Sequence, residues 1–257
     1  MRGIYVRQNP WTFFDPLGLK IESETKDRED GGKHTKITFR ATLLDRSKGA
    51  KVEHENGTVT RIPRGKKQLE KLRDRMINEL NSQFTKLEGD HTYVIDVDIQ
   101  IYDSAKKVRK GDHHISIVEP ELLHKKSGLD YGLKTPGGLA NRIGGEQLLI
   151  NNDRTYDFNT MIHGTTSDRF AQLAMHEFGH AAGLRHPHHE TKSNGFDILN
   201  PLRNLGPGNF MSYDKNARNV HIKQIQQIQK KFDRKELNLP HIGWGGVSPP
   251  GNTCCPH

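Results

Sequence analysis

The sequence predicts an α/β fold built on a mixed sheet, and three observations predict it. The stretches "KITFRATLL" and "HTYVIDVDIQIY" alternate apolar and polar residues at the period of a half-buried strand. Between them Leu69, Leu72, Met76, Leu80, Phe84 and Leu87 recur at spacings of three and four, the period of an amphipathic helix. A strand, a long helix and then several strands is the order in which helices pack on a mixed sheet.

Taken in order, the first strand places Ile37, Phe39, Ala41 and Leu43 on one face. The turn-like "IPRGKK" precedes the first helix. The next strand places Tyr93, Ile95, Val97, Ile99 and Ile101 on one face, and "HHISIV" and "EQLLIN" read as further strands. The Gly- and Pro-rich "LKTPGGLANRIGG" lies between those two. A second helix starts near Ser167 or Asp168, both good N-cap residues, and runs through "RFAQLAMHEFGHAA" to Gly183. Beyond a Gly/Pro/Asn-rich loop, "VHIKQIQQIQKKF" sets Ile222, Ile225, Ile228 and Phe232 on one stripe of a third helix. The polar "ESETKDREDGGKH" reads as a flexible join, and "GWGGVSPPGNTCCPH" as a loose tail. The expected division is therefore a leader at 1–19, a linker at 20–34, a folded domain at 35–232 and a tail at 233–257.

Composition narrows the function classes. The chain has 257 residues and a net charge of +8, but its 39 Lys and Arg are interspersed with 31 Asp and Glu. No basic stripe with interleaved aromatics marks a nucleic-acid grip, so nucleic acid is not the expected partner. No stretch approaches the ~20 apolar residues of a spanning helix, and "MRGIYVRQNPW" lacks the apolar centre of a secretory signal. The two cysteines, Cys254 and Cys255, are adjacent, so the core must stand without disulfides. Folded back onto a metal, either could silence a site there.

Chemistry concentrates in "HEFGHAAGLRH", residues 176 to 186. On a helix, His176 and His180 lie one turn apart on one face and can share an ion. Glu177 is offset by about 100°, near enough to reach a metal-bound water without being a ligand. A straight helix would carry the next histidine away. A left-handed Gly183 stops the helix and turns the chain back, so that His186 can complete a three-histidine site. Three neutral nitrogens leave a coordination position open, the arrangement of catalytic rather than structural zinc. Multiplying this chain's own residue frequencies gives on the order of 10⁻⁴ to 10⁻³ chance matches to the full pattern.

This stretch resembles the HExxHxxGxxH signature of the metzincin clan of zinc peptidases, and "GNFMSYD" is similar to the clan's methionine turn, with Met211 as the turn residue. The resemblance implies a mixed, mostly parallel twisted sheet, an active-site helix, and a smaller C-terminal subdomain holding the turn and a last helix. It implies one catalytic Zn²⁺ on His176, His180 and His186, with Glu177 as general base and then acid. Pro187 after the third histidine and Tyr213 after the turn are similar to serralysins, and a tyrosine at that offset is also found in astacins. By that likeness Tyr213 ligates zinc or supports the oxyanion; a packed aromatic beside the turn is the alternative. "PGGLANRIGGEQLLIN" looks like the matrixin edge strand, so that Gly138, Leu139 and Ala140 would offer backbone groups to a peptide substrate; a surface loop without a partner is the alternative. A matrixin cysteine-switch segment and serralysin calcium repeats are both missing, which leaves the family within the clan open. His113, His114, His163, His188, His189 and His221 are expected to pack or be solvated.

The leader "YVRQNPWTFFDPLGL" resembles the end of the Rhs/YD-repeat core, carried by Tyr5, Asn9, Pro10, Asp15, Pro16, Gly18 and Leu19. The resemblance implies a C-terminal toxin cut free between Leu19 and Lys20, an upstream core shell, a cognate immunity protein, and secretion or delivery into a target cell. The expected activity is a metalloendopeptidase toxin that hydrolyses target-cell proteins. Two rivals stand beside it: a metal-dependent nuclease toxin, supported by the charge and His113–His114, and a non-catalytic module stabilised by zinc.

Overall fold

The computed structural model describes residues 21–54, 56–103, 113–127, 137–154, 168–186, 191–193, 196–198, 205, 208–212 and 217–239. Its centre is a mixed sheet. Four strands run parallel, β6 (His91–Ile101), β2 (Lys33–Asp45), β7 (His113–Val118) and β9 (Gln147–Asn151), in that order. Antiparallel strands flank them: β5 (Lys86–Glu88) on β6, β8 (Gly138–Ala140) on β9, and β1 (Ile21–Asp27) on β2. A separate hairpin joins β3 (Ala50–Glu53) to β4 (Val59–Ile62), and a second pairs β10 (Thr191–Ser193) with β11 (Phe196–Ile198). This mixed α/β arrangement is the coarse architecture the sequence predicts.

Helix α1 (Lys66–Phe84) buries Leu69, Leu72, Met76, Leu80 and Phe84, the predicted stripe up to that residue. Leu87 departs from it. After Thr85 the backbone is extended, and Lys86–Glu88 pairs back on β6 through a turn in which Gly89 has φ +56°. Leu87 consequently lies on an edge strand and is 67% exposed. Its spacing continued the helical stripe, but the Gly89–Asp90 turn makes a hairpin the local choice.

The predicted linker also requires correction. Residues 21–27 form β1, paired through its whole length with Lys33–Phe39 across a turn containing Gly31 at φ +82°. Its side chains are mostly polar and exposed beyond Ile21, so a strand held by its backbone ladder carries no apolar pattern to betray it. The first strand accordingly begins at Lys33 rather than Thr35. At the other end the packed body passes residue 232: α4 (Ile222–Asp233) is followed by Leu237, 6% exposed in the core, and Leu239, whose N–H donates to the Gly144 carbonyl. The remainder of the predicted tail, from 240, lies outside the described residues.

Two helices share one face of the sheet. Helix α3 (Asp168–Ala181) packs beside α1 and across β8 and β9. Phe178 in its middle meets Phe39 of the sheet at 4.6 Å and Phe84 of α1 at 5.3 Å between ring centroids, and Phe84 meets Phe210 at 5.7 Å. These tilted and edge-on contacts suit the ring quadrupoles and pin the helix on two sides. Strand β9 sends Leu148 and Ile150 into this core and Leu149 to the opposite face, where α2 (Pro120–Ser127) contributes Leu123. On α4, Ile225 and Ile228 are fully buried, and Ile222 and Phe232 pack partly buried against the same core. Among the described residues no helix is long and apolar enough to cross a membrane.

Candidate metal centre

The site grows from the end of α3. Gly183 has φ +84°, its N–H donates to the His180 carbonyl (3.0 Å), and the Leu184 N–H donates to the Gly179 carbonyl (2.8 Å). These two bonds form a Schellman closure with a left-handed glycine just past the helix. They reverse the chain within three residues and bring His186 back against the helix face that carries His176 and His180.

The three imidazoles converge. His186 Nε2 lies 2.9 Å from His176 Nε2 and 3.1 Å from His180 Nε2. All three rings are buried, at 8%, 1% and 2% exposure for His176, His180 and His186. The other nitrogens explain the convergence. His176 Nδ1 is 2.9 Å from the Phe210 carbonyl oxygen, and His180 Nδ1 is 2.9 Å from that of Leu184. A carbonyl only accepts, so each Nδ1 carries the proton and donates it. In the neutral ring this leaves a bare lone pair on Nε2. Both acceptors face His186 Nε2, and fixing the tautomer by a carbonyl bond is how metal-ligating histidines are oriented. A tetrahedral ion about 2.0–2.1 Å from each nitrogen would hold them about 3.3 Å apart, so the observed spacing needs to open by only a few tenths of an ångström. The three histidines can therefore hold one metal ion.

Glu177 is 1% exposed and sits between the two helical ligands in sequence. Strand β8 crosses directly over it: a Cβ on Gly138 would fall 2.7 Å from Glu177 Cγ and Oε1, and one on Gly137 would fall 2.6 Å from Leu173 Cδ2. The Gly137–Gly138 pair thus lets the strand rest on the turn of α3 that carries the carboxylate. Leu139 and Ala140 continue the strand, paired to Leu149 and Leu148, and β8 is an edge of the sheet among the described residues.

Met211 is fully buried under α3, where a Cβ on Gly179 would fall 2.2 Å from its sulfur. The turn it occupies also supplies the Phe210 carbonyl that holds His176. Tyr213, Pro187, His163, His188, His189, Cys254 and Cys255 lie outside the described residues, as do Leu19 and Lys20. His113 is fully buried on β7, with Nε2 3.0 Å from Asn238 Oδ1 and its ring edge-on to Phe39. His221 is the N-cap residue of α4.

Sequence reasoning missed the supports of the site. The Phe210 and Leu184 carbonyls, the glycine at 179 and the buried amides of Asn209 and Gln224 have no motif of their own, because a backbone oxygen carries no side-chain signal and a lone amide occurs anywhere. Only Gly179, at the centre of the histidine motif and facing Met211, had a spacing that could have suggested close packing. No family model matches the chain, and no curated protein matches it either.

Proposed function

We propose that this protein is a zinc-dependent endopeptidase of metzincin type, delivered as the toxic C-terminal part of an Rhs-like protein. The observation that carries the reading is the convergence of three buried imidazole Nε2 atoms, two of them made acceptors by carbonyl bonds at Nδ1, beside a buried glutamate. Three neutral nitrogen donors suit zinc and leave one position open.

A zinc ion held by His176, His180 and His186 would polarise a substrate carbonyl and lower the pKa of a bound water to about 7. Glu177 takes the proton of the attacking water and passes it to the leaving amine. Burial of this carboxylate under β8 keeps bulk water from competing for that proton. A peptide added along the edge that β8 forms among the described residues would pair with backbone groups of Gly138, Leu139 and Ala140, which brings its scissile bond over the turn of α3 bearing Glu177. Tyr213, two residues past Met211, assists the substrate oxyanion. The delivery reading rests on the leader motif ending at Leu19; the first strand starts at Ile21, so release between Leu19 and Lys20 would leave every described element intact. An immunity protein in the producing cell and a protein substrate in the target cell follow from it.

The test is direct. Glu177→Ala should take up one zinc ion per chain and cleave a denatured protein about 10²–10⁴-fold more slowly than the parent. Parallel incubations with DNA and RNA, with and without a chelator, cover the nuclease alternative. Equal cleavage by parent and variant would sink the mechanism.

A further inference from the structure

The metal ligands are held by a turn, and the turn must itself be held. His176 is oriented by the Phe210 carbonyl, and nothing about Phe210 in the sequence explains why that carbonyl stays in place. The neighbouring Asn209 is fully buried, and its side-chain oxygen accepts two hydrogen bonds. One comes from the Met211 N–H (3.0 Å), the other from Gln224 Nε2 (2.7 Å). Gln224 is also fully buried, and it stands in the first turn of α4, fifteen residues along the chain. Its remaining oxygen accepts the His221 N–H at 2.9 Å, so both ends of the amide are committed. The Phe210 N–H is tied in addition to the Asn219 carbonyl at 3.1 Å. A continuous path of bonds therefore runs from α4 through Gln224 and Asn209 to the peptide that orients His176.

We infer that Gln224 and Asn209 are positioning residues for the metal centre: they clamp the start of α4 to the Phe210–Met211 turn and so fix the carbonyl that aims His176 Nε2 at the ion. The inference rests on reading His176, His180 and His186 as ligands of one ion. Gln224 is placed in α4 as a polar residue facing the core, where its desolvation is offset by the two hydrogen bonds that its amide makes. The chemistry is specific about what is required. Asn209 acts through an oxygen that accepts twice, whereas its Nδ2 is buried and donates to nothing among the described residues. Leucine offers no acceptor and cannot replace Asn209.

Zinc affinity of the full chain, measured by competition with a chromophoric chelator, tests this. Gln224→Leu and Asn209→Leu should each weaken zinc binding by about 10–100-fold, the range for lost outer partners of a ligating histidine. The visible spectrum of the cobalt-substituted protein should change with them, because the ligand field reports ring orientation. Asn152→Leu supplies the control: Asn152 is a buried amide that donates to the Gly49 carbonyl at 2.7 Å, and its loss should lower the melting temperature of the metal-free protein without altering zinc affinity. If Gln224→Leu does not fold, Gln224→Met, which keeps the length and loses the donor, replaces it. Parent affinity and an unchanged cobalt spectrum in the Gln224 variant overturn the inference. A parent that takes up no zinc overturns the ligand reading itself, a result distinguishable from failure of the clamp alone.

Discussion

Gly179→Ala puts a single methyl group where helix α3, the Phe210–Met211 turn and the candidate metal site meet. Two effects oppose each other. Alanine is the better helix former by about 1 kcal/mol. Against that, the new Cβ would lie 2.2 Å from Met211 Sδ and 2.8 and 3.1 Å from two atoms of the Phe210 ring, where carbon contacts are ordinarily about 3.5–4.0 Å. Met211 and Phe210 are 0% and 1% exposed, so neither can swing into solvent. Overpacking of this kind costs about 1–3 kcal/mol, and the depth of the overlap argues for the upper part of that range. The net loss is then about 1–2 kcal/mol, a fall in melting temperature of roughly 2–8 °C for a domain of this size. Because Phe210 is pushed while its carbonyl holds His176, zinc affinity should fall by about 10–100-fold as well. Thermal unfolding with and without chelator, together with zinc competition, reads both quantities. Removing the obstacle in Gly179→Ala, Met211→Ala should make the two changes non-additive by about 0.5–3 kcal/mol. A variant that melts higher than the parent, as helix propensity alone would have it, and binds zinc equally well would refute the packing of Met211 against α3.

Three further outcomes are expected. Gly138→Ala brings a Cβ within 2.9 Å of three Glu177 atoms; zinc stoichiometry should be unchanged while peptide hydrolysis slows by about 10²-fold, the cost of a carboxylate misplaced by about 1 Å, and full activity would count against Glu177 as the base. Gly183→Ala forces alanine into the left-handed conformation at φ +84° and sets its Cβ 3.0 Å from both Leu237 Cδ2 and Lys231 Cγ; it should destabilise by about 1–2 kcal/mol and weaken zinc binding through His186, and calorimetry paired with zinc competition checks both. Hydrogen bonding to Lys231 holds the Glu236 carboxyl below its ordinary value of 4.5. A carboxyl depressed in the folded state stabilises above its unfolded value and loses that contribution as pH falls. In metal-free protein the parent should therefore melt slightly above Glu236→Gln at neutral pH, by no more than a few tenths of a kcal/mol for so exposed a pair, and the gap should close in acid well below pH 4.5.

Much of the site was legible because its spacing is local. His176, Glu177 and His180 follow from helical geometry, and Gly183 announces the reversal that His186 needs, since few residues other than glycine adopt φ +84° without strain. The strands in "KITFRATLL", "HTYVIDVDIQIY", "HHISIV" and "EQLLIN" were legible for a similar reason: one buried face leaves a period-2 trace. Where that trace is missing, reading failed. Strand β1 buries Ile21 and little else, so its polar sequence looked like a join. Leu87 kept the helical spacing while a glycine turn two residues later claimed it for a hairpin.

By itself, then, the sequence determined the main strands and helices, the histidine trio and the identity of the neighbouring carboxylate, all properties that depend on residues within a few turns of one another. Tertiary structure alone decided which carbonyl orients His176, which strand covers Glu177, and which buried amides join α4 to the turn at Met211. These contacts pair residues that helical or strand periodicity does not connect, fifteen to forty positions apart, and the one to His176 uses a backbone oxygen, which every residue possesses. No side-chain pattern can encode a partner that is chemically identical at every position; only the packing of α3 against the sheet and of the turn against α3 selects one of them.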